Sequence, residues 1–336
     1  MRKMLVCLIA ILASPAASAE TIKFTPTRGY PTFAVREPVL RLKPGDTVET
    51  RTFTQPGDYY DRDGGAWPGE VGPFYIEGIT TEDTLVVRII KVRPNRATAV
   101  SQINPNGISG VAADARTRML NDPLPKRRYV WQIDTAKLTG RIDTPQSKSR
   151  QFEIALRPML GRLAVAPAGD EAFGGLWPGN FGGNMDAADA REGTTVYLPV
   201  FHDGAYFYFG DGHALQGDGE ICGSGLETTM DVTLQFDVIK GQTIRWPRME
   251  DAEDLMVAGS GRPLIDALRI AHVELIEWLV ADYGFEKLDA YQIVSQAGHM
   301  RVANVVDPNY TVVAKFPNRR LPKSVLPGGS ADRFGL

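Results

Sequence analysis

Cysteine is nearly absent: the 336-residue chain has two, Cys7 and Cys222. So low a count excludes a disulfide framework and a four-cysteine zinc site. An excess of one charge is also missing. Lys and Arg number 37 against 40 Asp and Glu, for a formal net charge of −3, whereas a general nucleic-acid binder carries a clear basic excess. With 43% hydrophobic and 23% charged residues, the composition is not that of a disordered chain. No stretch beyond the N-terminus approaches the roughly 18 continuous apolar residues of a membrane span. The D-x-D-x-D-G spacing of an EF-hand is not met either.

The one apolar run is short and terminal. Arg2-Lys3 precedes Met4 to Ala13, and Ala17-Ser18-Ala19 follows as a small-x-small cleavage site before Glu20. This is the pattern of a secretory signal peptide, too short to cross a bilayer. Residues 1–19 are therefore expected to be removed on export to the periplasm or medium. Taking 19 from 336 leaves 317 residues. The loss of Arg2 and Lys3 shifts the net charge from −3 to −5, and Cys222 becomes the only thiol.

Turn formers are abundant, with 34 Gly and 23 Pro, which predicts many short strands. Thr47–Phe53, Thr84–Ile90 and Thr194–Val200 each follow an acidic or Gly turn, a weak hint of internal duplication. From Thr229 to Val238, Met230, Val232, Leu234, Phe236 and Val238 alternate with polar residues, a strand with one buried face. Val196–Phe201 and Ala205–Phe209 flank His202-Asp203-Gly204, which reads as a hairpin. Leu264, Leu268, Ala271, Leu275 and Trp278 repeat at helical spacing between Pro263 and Gly284, and a shorter helix is expected over Leu288–Gln296. Tyr310–Phe316 reads as a closing strand, and residues 94–127 and 317–336 as long loops and a tail.

Acidity is concentrated in one segment. Residues 186–227 hold Asp186, Asp189, Glu192, Asp203, Asp211, Asp218, Glu220 and Glu227 against the single Arg191, together with His202 and His213. Such clustering costs repulsion energy that a bound cation or protonation relieves. In extended backbone, residues i and i+2 share a side. Asp211 and His213 of Gly-Asp-Gly-His are therefore expected to reach one metal, and Asp218 and Glu220 of Gly-Asp-Gly-Glu stand in the same relation. Gly182-Gly183-Asn184-Met185-Asp186 supplies another carboxylate on a Gly-rich turn. His272 is read as structural or superficial, His202 as exposed in its turn, and Cys222 as a small buried residue.

Several blocks resemble the acetamidase/formamidase family. Pro178–Asp186 is similar to its central signature, and Tyr197–Val200 and Gly210–Glu220 to the blocks that follow. Gly72–Gly78 and Leu156–Gly161 upstream, and Leu288–Tyr291 and Val305–Pro308 downstream, also fit. The resemblance spans about residues 33 to 316. It implies hydrolysis of small amides such as formamide or acetamide, and a mainly β (α+β) fold of sandwich and barrel-like lobes of short antiparallel strands, with one long and one short helix in the C-terminal third. Residues 20–336 are expected to form a single domain of two intimate lobes, approximately 20–160 and 161–320, with a tail at 321–336. Dimers or larger homo-oligomers are implied as well.

Neither the Gly-Gly-Ser-Ser segment of serine amidases nor a Lys between 186 and 227 is present. Carboxylates and one His remain, and a divalent ion held by them would lower the pKa of a bound water towards ~7. Asp186, Asp211 and His213 are the expected ligands, with Asp218 as an alternate. Glu220 is the expected general base, with Glu227 as a supporting or alternate group. Asn184 and Gln216 are expected at the substrate. Glu77 joins the pocket only by the resemblance. Three ligands with an open position suit Zn²⁺, whereas an oxygen-rich shell suits Ca²⁺ or Mn²⁺. The rival reading is an exported, non-catalytic protein that binds a metal or a small solute.

Overall fold

The computed structural model describes residues 19–104, 110–112 and 124–322. Residues 1–18 of the expected signal peptide and most of the expected tail lie outside the described residues. Among the described residues there are two main sheets. A nine-stranded sheet runs in the order β1 (Thr21–Lys23), β4 (Thr47–Arg51), β16 (Met230–Ile239), β6 (Thr84–Pro94), β14 (Thr195–Pro199), β17 (Arg248–Glu250), β18 (Asp254–Gly261), β20 (Tyr310–Pro317) and β19 (His299–Asn304). A five-stranded sheet runs β13 (Gly182–Asn184), β11 (Met159–Ala164), β15 (Phe207–His213), β5 (Val71–Ile76) and β3 (Leu40–Leu42). A four-stranded sheet holds β10 (Gln151–Ala155), β9 (Thr139–Asp143), β8 (Arg127–Asp134) and β7 (Thr98–Ile103). A small ribbon pairs β12 (Phe173–Gly174) with β2 (Thr32–Phe33). The pairs β1–β4 and β3–β5 are parallel.

Period-two patterning explains the layering. In β6, Leu85 and Val87 enter the core that also holds Leu160, Leu163, Phe207 and Phe209 of the five-stranded sheet, while Val86 points to the opposite face. In β14, Val196 and Leu198 take the first side and Tyr197 the second. The second face is covered by α1 (Leu264–Tyr283), whose Ala267, Ala271, Leu275 and Leu279 are fully buried against Leu255, Val257, Val312 and Ala314. Burying one Leu of this kind contributes about 1.5–3 kcal/mol. Gly284, left-handed at φ 70°, ends α1, and α2 (Lys287–Ala297) follows with Glu286 capping Leu288 and Asp289.

The fold is thus mainly β with one long and one short late helix, arranged as helices, a sheet and a second sheet. The barrel-like element of the expectation is not found among the described residues: the nine-stranded sheet is open, with β1 and β19 at its edges. Strands from before and after residue 160 mix within both main sheets.

Two local expectations are corrected, and one strand is added. His202-Asp203-Gly204 does not close a hairpin, because β14 pairs in the nine-stranded sheet and β15 in the five-stranded one. Gly204, Ala205 and Tyr206 all adopt left-handed φ (88°, 58° and 54°) and carry the chain from one sheet to the other. Residues 98–103, expected within a loop, form β7 on β8. β19 went unassigned; it pairs with the expected closing strand β20.

Candidate active site

Three adjacent strands of the five-stranded sheet build the site. β11 lies between β13 and β15, with Arg162 opposite both Asn184 and Gly210, and Leu160 opposite Gly212. Gly161 lies between these positions. A methyl group there would collide with Asp186 Oδ1 and stand 2.7 Å from Asp211 Oδ2. The missing side chain is what allows two carboxylates from different strands to converge. Asp186 follows β13, and its N–H donates to the Gly161 carbonyl at 3.1 Å.

His213, at the end of β15, is the hub. Gln216 Nε2 donates to the carbonyls of Asp186 (2.7 Å) and Ala303 (3.0 Å), so its Oε1, 2.8 Å from His213 Nδ1, accepts. Nδ1 therefore carries hydrogen, and Nε2 is presented to Asp211 Oδ1 at 3.2 Å and Glu227 Oε2 at 3.1 Å. Both are ion-pair distances, yet Nε2 has no hydrogen bond of acceptable geometry among the described residues. The same is true of the buried Glu227 Oε2 and Asp186 Oδ1. The donor atoms of Asp211, His213 and Glu227 lie within 4.8 Å of one another, as do those of Asp186, His213 and Glu220. All five residues are at most 8% exposed. Gly225 leaves room for the imidazole, since a methyl group on it would meet Nδ1 at 2.5 Å.

Three of these acids hold sparsely populated backbone conformations: Asp186, Asp211 and Glu220 have φ of 45°, 57° and 48°. Such strain persists only where the surroundings over-determine it, and it concentrates at functional sites.

A second network supports the first. Arg162 donates from Nη1 to Glu70 Oε1 at 2.5 Å and from Nε to Asn184 Oδ1, with Asp211 Oδ2 3.3 Å from Nε. Asn184 Nδ2 donates to Asp186 Oδ2 and Asp307 Oδ2, both at 2.5 Å, and Asn304 Nδ2 reaches Asp307 Oδ2 at 3.1 Å. Trp67 Nε1 donates to Glu70 Oε1 at 2.9 Å, and the Arg162 guanidinium lies 4.5 Å from the Trp67 ring centre.

Burial without full compensation sets the protonation pattern. It raises Glu220 to about 8 against the nearby His213, and Asp307 to about 6 against the Asn184 hydrogen bond. It also raises Asp186, with Glu220 and Asp307 adding to the effect. Burial works against ionisation of Asp211 too, but Arg162 and His213 outweigh it and hold that carboxyl well below its ordinary value. Burial opposes the imidazolium of His213, and Glu227 and Asp211 more than offset it.

Asp186, Asp211, His213, Glu220, Glu227, Asn184 and Gln216 are thus brought together. Two expected residues are not. Asp218 does not share a side with Glu220, because Asp218–Glu220 forms one 3₁₀ turn with Gly219 left-handed instead of extended chain. The Asp218 carboxylate points out to Arg301 Nε at 2.8 Å. Glu77 is exposed just past β5. The N-terminal carboxylate that enters is Glu70, ahead of β5 and fully buried.

Arg162, Glu70, Asn304 and Asp307 were not foreseen as site residues. The available signal was a lone Arg inside the apolar strand Met-Leu-Gly-Arg-Leu-Ala; Asp307 already lay in a family-like block. Cys222 is partly buried, with its Sγ 3.3 Å from the Ser224 carbonyl, and burial pushes the thiol up. His202 is half-buried rather than exposed, with Nε2 2.7 Å from the Pro167 carbonyl, and His272 Nδ1 lies 2.9 Å from the Leu268 carbonyl.

Asp211, Glu220, Glu227 and Asp307 line a cavity of about 470 Å³, together with Tyr59, Trp67 and Trp177. A layered β protein with a strained, buried carboxylate–imidazole centre beside a cavity is therefore defined. The sequence pattern of the Acetamidase/Formamidase family matches residues 132–320, and the chain belongs to that family. It is 41% identical to a Schizosaccharomyces pombe protein named as a formamidase, over 79% of this chain and 80% of that one. It is 28% identical to the acetamidase of Mycolicibacterium smegmatis over 51% of this chain, and spans about half (53%) of that relative's length. The crystal structure of an acetamidase from Yersinia enterocolitica superposes with a TM-score of 0.77 at 36% identity, covering 89% of this chain and 92% of the other.

Proposed function

We propose that the chain is an amidase that hydrolyses a carboxamide to a carboxylate and ammonia at the His213 centre, with a divalent cation held by Asp211, His213 and Glu227. The observation that carries the cation is the convergence of His213 Nε2 and Glu227 Oε2, both buried and without hydrogen bonds among the described residues, beside Asp211. One imidazole and two carboxylates form a three-ligand set that suits Zn²⁺ better than Ca²⁺, which prefers six to eight oxygens. When bound, the cation would supply polarisation of the amide carbonyl and acidification of water.

The chain's own residues supply the rest. Gln216 fixes the His213 tautomer, as an outer hydrogen-bond partner does for a ligating imidazole. Glu220 takes a proton from the attacking water at its carboxylate and returns one to the departing nitrogen. A carboxyl titrating near neutrality suits both transfers. Arg162 balances the charge of Asp211 and Glu70 from behind.

The test is ammonia release from short amides, run beside metal analysis. Activity that disappears on chelation and returns with Zn²⁺ supports the whole reading. Full activity in metal-free protein removes the cation and leaves the amidase. Tightly bound metal with no turnover of any amide would leave a binding protein. Residues 1–19 further support export, which predicts a secreted form beginning at Glu20 by intact mass.

A further inference from the structure

The cavity is large for the amides considered so far. At water's share of about 30 Å³ per non-hydrogen atom, acetamide needs on the order of 100 Å³, whereas the cavity holds about 470 Å³. Its lining combines two chemistries. Arg162, Asn184, Asp211, Glu220, Glu227 and Asp307 line it, and so do Pro31, Tyr59, Trp67, Leu176, Trp177 and Pro308. A cavity of this size with a few convergent polar groups and apolar, aromatic walls is the form that encloses a ring-sized ligand.

The walls are held in place. Trp67 is pinned through Nε1 to Glu70 Oε1 at 2.9 Å, beneath the Arg162 guanidinium and 5.5 Å from the Tyr59 ring. The Trp177 backbone N–H donates to the Gly174 carbonyl at 3.0 Å, and the Trp177 ring lies 5.9 Å from that of Phe173, which stacks on Phe181. Trp177 itself is 40% exposed. A large, ordered aromatic side chain left partly in water beside a polar centre is the feature a small hydrophilic amide does not explain.

We infer that the amide taken at this site carries an aromatic or comparably bulky apolar acyl group, which lies along Tyr59, Trp67 and Trp177 while its carboxamide faces the His213 centre. This rests on the amidase reading. The acyl ring takes no part in the chemistry: water adds at the carbonyl carbon, the C–N bond breaks, and the nitrogen leaves as ammonia with the proton that water gave up.

The experiment compares kcat/KM for ammonia release from phenylacetamide and acetamide in the full chain, together with saturable quenching of tryptophan fluorescence by each. Phenylacetamide is expected to exceed acetamide roughly 10-fold or more, the discrimination that added apolar contact gives, and to quench at lower concentration. Trp177→Ala should collapse that ratio and Trp177→Phe restore most of it. Trp177 is partly exposed, so neither change threatens folding. If acetamide is turned over and phenylacetamide is no better and does not quench, the inference is overturned and the amidase reading stands. If neither amide releases ammonia, the amidase reading falls and this inference with it.

Discussion

Gln216 Oε1 lies 2.8 Å from His213 Nδ1 while the other end of the same amide is engaged by two backbone carbonyls, those of Asp186 and Ala303. One side chain therefore fixes both the tautomer of the central imidazole and the position of the loop bearing Asp186. Gln216→Met keeps the size and removes every hydrogen bond. It leaves two carbonyls and one ring nitrogen buried without partners, at about 1–3 kcal/mol for each group. We expect kcat/KM to fall roughly 10–100-fold, the usual loss when such an outer partner is removed, with zinc affinity falling alongside. Kinetics and affinity both unchanged would show that Gln216 only fills space.

Gly161→Ala separates packing from chemistry. The added methyl group would displace Asp186 Oδ1 and crowd Asp211 Oδ2 without removing any hydrogen bond of β11. The expected result is loss of activity by at least about 10²-fold, since a displacement near 1 Å at a reacting centre has that effect. Far-ultraviolet circular dichroism should stay close to the parent. A variant with normal turnover would mean that the two carboxylates do not need their present separation.

How much of this was legible depended on whether the signal was local. Met230–Ile239 and Leu264–Tyr283 were readable because each carries its own periodicity, two and 3.6, over ten residues or more. Asp211 and His213 were readable because two residues on one strand can be placed without knowing the fold. The Asp203-Gly204 turn misled because the partners of β14 and β15 are chosen by two sheets, not by the turn. Glu70 and Arg162 are 92 residues apart in sequence and meet only through tertiary packing. No spacing rule reaches that far.

Stability should depend on acid pH through Asp83, whose partners are not site residues. Burial opposes its ionisation, but Lys240 Nζ at 2.6 Å and the N–H groups of Gly241 and Thr80 prevail and hold the carboxyl well below its ordinary value. A depressed acid contributes stability above its unfolded pKa of about 3.9 and loses it as pH falls through the folded value. The melting temperature of the parent should therefore exceed that of Asp83→Asn at pH 7, and the gap should close steadily below about pH 4. A gap that is constant from pH 7 to pH 2 would assign the effect to packing.

The pair Glu70 and Glu77 offers the sharpest contrast, because the two residues flank one strand and differ only in where the fold puts them. Glu70 is fully buried, accepts from Arg162 Nη1 and Trp67 Nε1, and lets Gly210 approach so closely that a methyl group there would overlap its Oε2. Glu77 is exposed, and its backbone N–H donates to the Leu42 carbonyl. Glu70→Gln replaces a charge that Arg162 needs, and breaking a buried pair in this way costs about 3–5 kcal/mol. Arg162 would then be drawn towards Asp211, pulling that carboxylate from His213. We expect lower thermal stability, weaker zinc binding and at least a 10-fold loss of kcat/KM in Glu70→Gln. Glu77→Gln should stay within about 0.5 kcal/mol and show parent kinetics, as surface changes do. The reverse ranking would place the N-terminal carboxylate of the site at residue 77 after all, and would mean that β5 is shifted in register.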